Sequence, residues 1–160
     1  MVASGSTAAI ATIINAQKLD GYTAGQLVRV AHAESSTSDN PLPGPDTLLS
    51  TKIVAPNKGR LVISTSDQLD DSAGANLGTV DCWITLDGKK LNLSVRSVDF
   101  YPSQTSLTHE PCDTTIALTV AKGTHHVSVL GDNPDALAIS FTQRTLTVLY
   151  EPFNATGGTA

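Results

Sequence analysis

Acidic side chains are concentrated in one short stretch of this chain, which makes that stretch the first candidate for chemistry. Asp67, Asp70 and Asp71 are followed closely by Ser72 and Asn76. Carboxylate and amide oxygens that converge in such numbers suit a hard cation such as Ca²⁺. The spacing lacks the D-x-D-x-D-G start and the closing Glu of an EF-hand loop, so a solvated loop tip is the competing interpretation. We expect no cofactor other than Ca²⁺ at Asp67, Asp70 and Asp71.

The histidines form no recognisable catalytic or metal-binding pattern. His125 and His126 are adjacent in a predicted strand, where neighbouring side chains point to opposite faces. His109 and Cys112 could pair as base and nucleophile, but a disulfide would remove the thiolate. The sequence has no G-x-S-x-G motif, phosphate-binding Gly loop or paired-carboxylate set. We therefore expect that this protein is not an enzyme.

Cys82 and Cys112, the only cysteines, each lie in or beside a predicted strand. They could be two buried thiols or one structural disulfide. An even number of cysteines in a chain that is rich in Ser and Thr and poor in charge favours the disulfide, formed in an oxidising compartment. Neither cysteine has a C-x-x-C partner, which argues against a metal site.

Aromatic residues make up only 4% of the chain, and Trp83 and Tyr101 are the candidates for ligand binding. Trp83 follows Cys82 in one predicted strand, so the two side chains point to opposite faces. If Cys82 faces the core, Trp83 faces solvent or a neighbouring subunit, where an indole can stack on a sugar or anchor an interface. The other arrangement has Trp83 in the core and the thiol at the surface. A carbohydrate- or receptor-binding module is the alternative function.

These residues must be positioned by short strands, because the chain after Thr47 alternates strand-like runs with turn signals. The predicted strands cover residues 48–54, 60–66, 79–86, 89–94, 95–101, 114–120, 125–130, 136–141 and 145–150. Their regular spacing predicts an all-β fold, an antiparallel, jelly-roll-like β-sandwich over residues 47–154. The last strand has large apolar side chains on both faces, which predicts that Val148 and Tyr150 lie at a subunit interface.

Composition narrows the class of partner and the location. Apolar residues are 40% of the chain, charged residues are 16%, and the formal net charge is −5. A charged fraction well below the usual quarter, with abundant Ser and Thr, suits β-sheet faces of an extracellular protein. The negative charge and the scattered basic residues argue against nucleic acid as a partner. No signal peptide is visible, so either the sequence begins after processing or export is by another route, such as phage assembly and lysis. No run is long enough to span a membrane, and we expect an extracellular place on a cell surface or virion without membrane insertion.

The first third of the chain differs in composition from the rest, with an apolar run, an Asp-Gly turn and a polar stretch over 34–45. We expect residues 1–46 to be an N-terminal arm with a linker, and residues 155–160 to be a flexible tail. The arm has too few apolar residues for a core of its own, so we expect them to pack on sister chains. These predicted interface residues are Ile10, Ile13, Ile14, Leu19, Tyr22 and Leu27.

The pattern N-A-x-x-L-D-G at 15–21, followed by Leu27, resembles a short element of phage tail fibres and bacterial surface fibres. In those fibres the element lies at or before a receptor-binding or capping head. The segment 145–153 and the Asp87-Gly88 hairpin are similar in general form to the C1q/TNF-type jelly roll, whose subunits form trimers. The resemblance implies a structural or adhesive fibre subunit that assembles with itself as a homotrimer or a filament, with a surface glycan or receptor as a further partner.

Overall fold

The computed structural model describes residues 28–39, 43–71, 77–101 and 108–153. Within these ranges the chain forms a 3₁₀ turn at Asn92–Ser94 and ten strands. The strands are β1 (Arg29–Ser35), β2 (Asp46–Ala55), β3 (Gly59–Asp71), β4 (Gly78–Leu86), β5 (Lys89–Lys90), β6 (Arg96–Phe100), β7 (Thr108–Pro111), β8 (Thr114–Val120), β9 (Gly123–Asp132) and β10 (Ile139–Pro152). None of the described ranges forms a helix with the length and hydropathy needed to cross a bilayer.

The two halves of the chain pair as one long antiparallel ribbon that is rolled up. Along the ribbon β1 pairs with β10, β2 with β9, β3 with β8 and β4 with β6. Rolling brings β10 beside β3 and β9 beside β4. The result is one sheet in the order β1-β10-β3-β8, with β7 on the same edge as β8, and a second sheet in the order β2-β9-β4-β6, with β5 beside β6. This is the jelly-roll topology, and it confirms the predicted all-β sandwich.

Strict alternation of side chains builds the core between the two sheets. Along β3 every second residue is buried, including Leu61, Ile63 and Leu69, which are fully covered. On the facing sheet, Ile84 of β4 and Val127 of β9 are equally covered. Each strand therefore contributes one apolar face to the core and leaves a more polar face outside.

The prediction that Val148 and Tyr150 lie at a subunit interface is wrong. Both side chains are fully buried within the protomer, and the Tyr150 hydroxyl donates a hydrogen bond to the Asn57 carbonyl over 3.1 Å. The reason is that β10 is a central strand between β1 and β3, so its alternate residues line the core. Leu149, between these two, is the large apolar residue that β10 presents on the outer face.

The sandwich begins earlier than predicted. Residues 29–35, assigned to the arm by the sequence, form β1 and pair with β10 over seven consecutive positions from Arg29↔Tyr150 to Ser35↔Arg144. Asp39, assigned to the linker, forms a backbone bridge with Phe141. The alternation over residues 26–31 predicts a strand within the arm, but the polar residues from Glu34 onward resemble a linker, and the strand continues to Ser35.

Three other element bounds differ from the prediction. Residues 67–71 belong to β3 rather than to a loop, and residues 108–111 form β7, which pairs with them. Residues 92–94 leave the predicted strand for a 3₁₀ turn. The two predicted C-terminal strands are one strand, β10, interrupted by a register shift between Phe141 and Arg144. Sequence patterns penalise Asp and Pro within strands, although pairing with a neighbour overrides that penalty here.

A disulfide between Cys82 and Cys112 joins the two sheets and confirms the prediction from the cysteine count. Cys82 lies in β4, and Cys112 lies between β7 and β8 of the opposite sheet. Their Cα atoms are 6.5 Å apart, and both residues are buried, with 2% and 0% of their surface exposed. The bond closes a sequence separation of 30 residues across the core.

We expect the double substitution Cys82→Ala with Cys112→Ala to lower the free energy of unfolding by roughly 3–4 kcal/mol, because a loop of this length loses that much closure entropy when cross-linked. Urea titration monitored by Trp83 fluorescence measures the difference. Reductant should shift the unfolding midpoint of the wild type toward that of the variant and leave the variant unchanged. Coincident midpoints for oxidised wild type and variant would show that the cross-link contributes nothing.

Candidate functional site

Strand alternation separates the three aspartates predicted as Ca²⁺ ligands. Asp67 and Asp71 face inward and are each 1% exposed, whereas Asp70 faces outward from the same strand. Across the described ranges, no group of three or more His, Cys, Asp or Glu side chains is placed to hold a metal ion. The predicted convergence of Asp67, Asp70 and Asp71 on one cation is therefore wrong.

Asp70 instead holds a histidine on the outer surface. His109 Nδ1 lies 2.5 Å from Asp70 Oδ1, and the Gln68 side-chain amide lies 2.8 Å from the same ring nitrogen. Although burial raises the pKa of Asp70, its hydrogen bonds to His109 and Gln68 lower the pKa below its usual value. Because Cys112 is bonded to Cys82, His109 has no thiolate beside it to activate.

Arg144 ties the connection after β1 to the register shift in β10. Arg144 is 2% exposed, and its Nη1 forms an ion pair with Asp39. Its Nη2 donates to the Ser35 hydroxyl and to the Thr37 carbonyl, each over 2.9 Å. A buried guanidinium is tolerated only when such hydrogen bonds replace its hydration. Arg144 also lines an open polar cleft of ≈ 530 Å³ with residues 34–37, Gln143 and Thr145.

Asp67 is the least satisfied buried group at this end of the sandwich. It lies opposite Arg144 in the β3–β10 register, and its main-chain N–H donates to Asp113 Oδ1 over 2.9 Å. Neither side-chain oxygen makes a hydrogen bond of good geometry within the described ranges. Burial and the negative charge of Asp113 raise the pKa of Asp67 to about 7, against the opposing effects of Arg144 and the Thr65 hydroxyl. The carboxyl group therefore exchanges a proton near neutral pH.

A smaller open cleft of ≈ 220 Å³ lies beside Asp67. It is lined by Ser66, Asp67, Gln68, His109, Glu110, Pro111, Asp113 and Gln143. The lining is polar, and the cleft is open to solvent.

At the opposite end of the strands, His125 contacts the turn after β4 and the turn after β8. Its Nδ1 lies 2.9 Å from Asp87 Oδ2, and its Nε2 lies 2.9 Å from the Ala121 carbonyl. Burial lowers the pKa of His125, but the hydrogen bonds to Ala121 and Asp87 raise it by more, so the pKa lies above its ordinary value. His125 is nearly buried and His126 is exposed, which confirms that the pair points to opposite faces.

Trp83 and Tyr101, the predicted ligand-binding aromatics, have different surroundings. Cys82 faces the core and Trp83 lies on the other face of β4, yet Trp83 is only 6% exposed. The Lys90 ammonium lies 3.8 Å from the centroid of its ring. The prediction of Trp83 as an exposed sugar-stacking surface is wrong, because its ring is covered. Tyr101 is 56% exposed, and its role in binding stays a prediction.

The outer face of the first sheet has an apolar row that the sequence did not reveal. Val30, Leu149, Val62 and Ala117 are successive cross-strand partners on β1, β10, β3 and β8. We call these four residues the apolar row. Val30 is 64% exposed, and Val28, just before β1, is 56% exposed. The alternation Val28-Arg29-Val30 was the available signal, but only the strand register shows that it continues across the sheet.

Polar rows border the apolar row on both sides. On one side His32 Nδ1 lies 3.0 Å from Thr147 Oγ1, and Ser64 Oγ lies 2.8 Å from Thr115 Oγ1. On the other side the Arg60 guanidinium forms a 2.6 Å ion pair with Glu151. An exposed apolar stripe with a polar border is typical of a protein–protein contact. The predicted interface residues Ile10, Ile13, Ile14, Leu19, Tyr22 and Leu27 lie outside the described residues, so their role stays a prediction.

The described residues form a jelly-roll domain with an apolar row on the outer face of its first sheet. No protein-family model and no curated protein matches the sequence. Among solved structures, dimeric latent PorU from Porphyromonas gingivalis is similar at a TM-score of 0.52 and 8% identity, over 78% of this chain and 13% of that chain. The VP2 subviral particle of infectious bursal disease virus is similar at a TM-score of 0.45 and 17% identity, over 83% of this chain and 35% of that chain. The likeness to PorU supports the fold alone, and the chain spans a small part of both proteins.

We expect Asp67→Asn to make the protein more stable than the wild type at pH 8, with a gain that becomes smaller toward pH 5 and is small near pH 4. The folded-state pKa of about 7 lies above the unfolded value of 3.8. The folded protein therefore retains a proton that the unfolded chain has released, and stability falls as pH rises from about 4 to 7. The shift corresponds to at most about 4 kcal/mol. Thermal unfolding of both proteins from pH 4 to pH 8 measures the difference.

The matched control is Asp70→Asn, which alters an outward carboxylate on the same strand. This control should show no gain at pH 8. If Asp67→Asn destabilises the protein at pH 8, the attraction between Asp67 and Arg144 outweighs burial and repulsion from Asp113.

Proposed function

We propose that this protein is an architectural subunit that assembles with copies of itself, outside the cell or on a virion, and that it has no catalytic role. The fibre-like sequence element at 15–21 supports a fibre or filament that ends in the jelly-roll head. In this proposal the N-terminal arm and the outer face of the first sheet make the contacts between copies, either as a closed trimer or as an open filament.

One observation carries this proposal. Val28, just before β1, and Val30 within it are 56% and 64% exposed, and the same chain carries an uncharged apolar run at residues 8–14. Exposed apolar surface of this kind is buried most favourably in a contact with other chain segments. The inter-sheet disulfide fits an oxidising location, where an assembly of small domains benefits from covalent cross-links.

A carbohydrate- or receptor-binding module is the second candidate. The exposed phenol ring of Tyr101 and the two open polar clefts favour it. Adhesion through the head is compatible with self-assembly through the arm, so the two functions can coexist in one fibre.

We expect the wild type to be oligomeric at micromolar concentration and the full-length double variant Ile10→Asp with Ile14→Asp to be monomeric. Charges at these positions would make burial of the arm unfavourable. Size-exclusion chromatography with light scattering gives the mass, and electron microscopy distinguishes trimers from filaments.

The matched control is Ser4→Asp with Ser6→Asp, which adds the same charge to the same terminus outside the apolar run. This control should assemble like the wild type. If the wild type is still monomeric when its concentration is raised 100 times above the micromolar range, the proposed function is overturned.

A further inference from the structure

We propose that the open edge of β1 accepts residues 8–14 of a second copy as an added strand. This inference rests on the proposed self-assembly and specifies the two surfaces that meet. In the described ranges β1 pairs with β10 on one side, and no strand pairs with its other side. Half of the main-chain N–H and C=O groups of an edge strand point away from its sheet, where they can pair with a further strand.

The other three edges of the sandwich have features that discourage strand addition. The edge formed by β7 and β8 is broken between the two strands and contains Pro111. The edge formed by β5 and β6 is interrupted by the 3₁₀ turn at 92–94. On β2, Val54 is exposed, but the strand also has a register shift after Thr47 and an exposed Lys52.

By contrast, β1 pairs with β10 over seven positions without a register shift. Its outward side has Val30 of the apolar row together with the exposed His32 and Glu34, and its inward side has the small residues Ala31 and Ala33 against the core. Small side chains at an edge leave room for larger ones on an added strand. The edge is therefore regular, with an exposed apolar residue on its outer face and small residues on its inner face.

Residues 8–14, Ala-Ala-Ile-Ala-Thr-Ile-Ile, match this edge in length and character. The segment has seven residues, as β1 has, and it contains neither charge nor proline. As a strand it would place Ile10 and Ile14 on one face and Ile13 on the other. The thirteen residues 15–27 join it to β1 and reach up to about 45 Å when extended, which is long enough to leave the protomer.

The test combines one acceptor variant with its matched control. Val30→Lys places a charge on the open edge strand, and Ala117→Lys places the same charge in the same row on the opposite edge. By light scattering we expect Val30→Lys to weaken self-association by at least about tenfold and Ala117→Lys to leave it unchanged. Equal loss in both variants would indicate packing across the whole apolar row. That outcome would overturn strand addition and leave the proposed self-assembly standing.

Complementation shows whether the strand comes from a second copy. The full-length Val30→Lys chain has an intact donor segment, and the Ile10→Asp, Ile14→Asp chain has an intact acceptor edge. Each should be monomeric alone, and an equal mixture should form a heterodimer and stop there. A mixture that stays monomeric while the wild type assembles would mean that the edge is not filled in trans, and would overturn the proposal.

If Val30→Lys does not fold, Val28→Lys is the substitute. A monomeric wild type overturns the proposed function itself.

Discussion

Strand alternation on β3 and β10, the two central strands of the first sheet, decides which side chains of this protein can meet. Both strands are long, and every second residue is covered along β3 and along β10 on either side of its register shift. One residue of displacement would exchange the core face for the outer face. The β3–β10 register sets Asp67 beside Arg144 and Leu149 beside Val62, and the β3–β7 register sets Asp70 beside His109.

The same constraint explains why charge is buried at one end of the sandwich. Asp67 and Arg144 continue the inward positions of their strands beyond the apolar core, so neither can turn outward without breaking the pattern. Arg144 satisfies most of its donors through Asp39, Ser35 and Thr37, whereas Asp67 has a neighbouring carboxylate and a raised pKa. At the other end burial lowers the pKa of His125, but its hydrogen bonds to Ala121 and Asp87 outweigh burial and raise the pKa. Both ends are therefore electrostatically better suited to mildly acidic than to alkaline conditions, since each group loses a favourable proton as pH rises.

The sequence was sufficient for the all-β class, most strand positions, the sandwich and the disulfide. Those features depend on local alternation, turn residues and cysteine count, which a single chain displays directly. Prediction from the sequence failed where pairing between distant strands decides the position of a side chain. Asp67–Asp71 were assigned to a loop, since aspartates rarely occupy strands, yet β7 and β10 pair with them on both sides. Val148 and Tyr150 were assigned to an interface because the sequence did not show which strand would lie on each side of β10. The apolar row could not be predicted either, since its members are far apart in the chain and meet only through the register.

A jelly roll covers its core but leaves the outer strands of both sheets exposed at four edges. The features of each edge show whether a further strand could pair there. Each edge carries unpaired main-chain groups, so a protein that must stay monomeric is under pressure to block all of them. Here breaks, a proline, a register shift and a lysine are distributed over three edges, whereas the fourth, β1, pairs with β10 without a register shift and exposes Val30. Within the described ranges the far side of β1 has no strand partner. A regular edge strand whose main-chain groups are unpaired favours association with another strand, which is the constraint that the strand-addition proposal addresses.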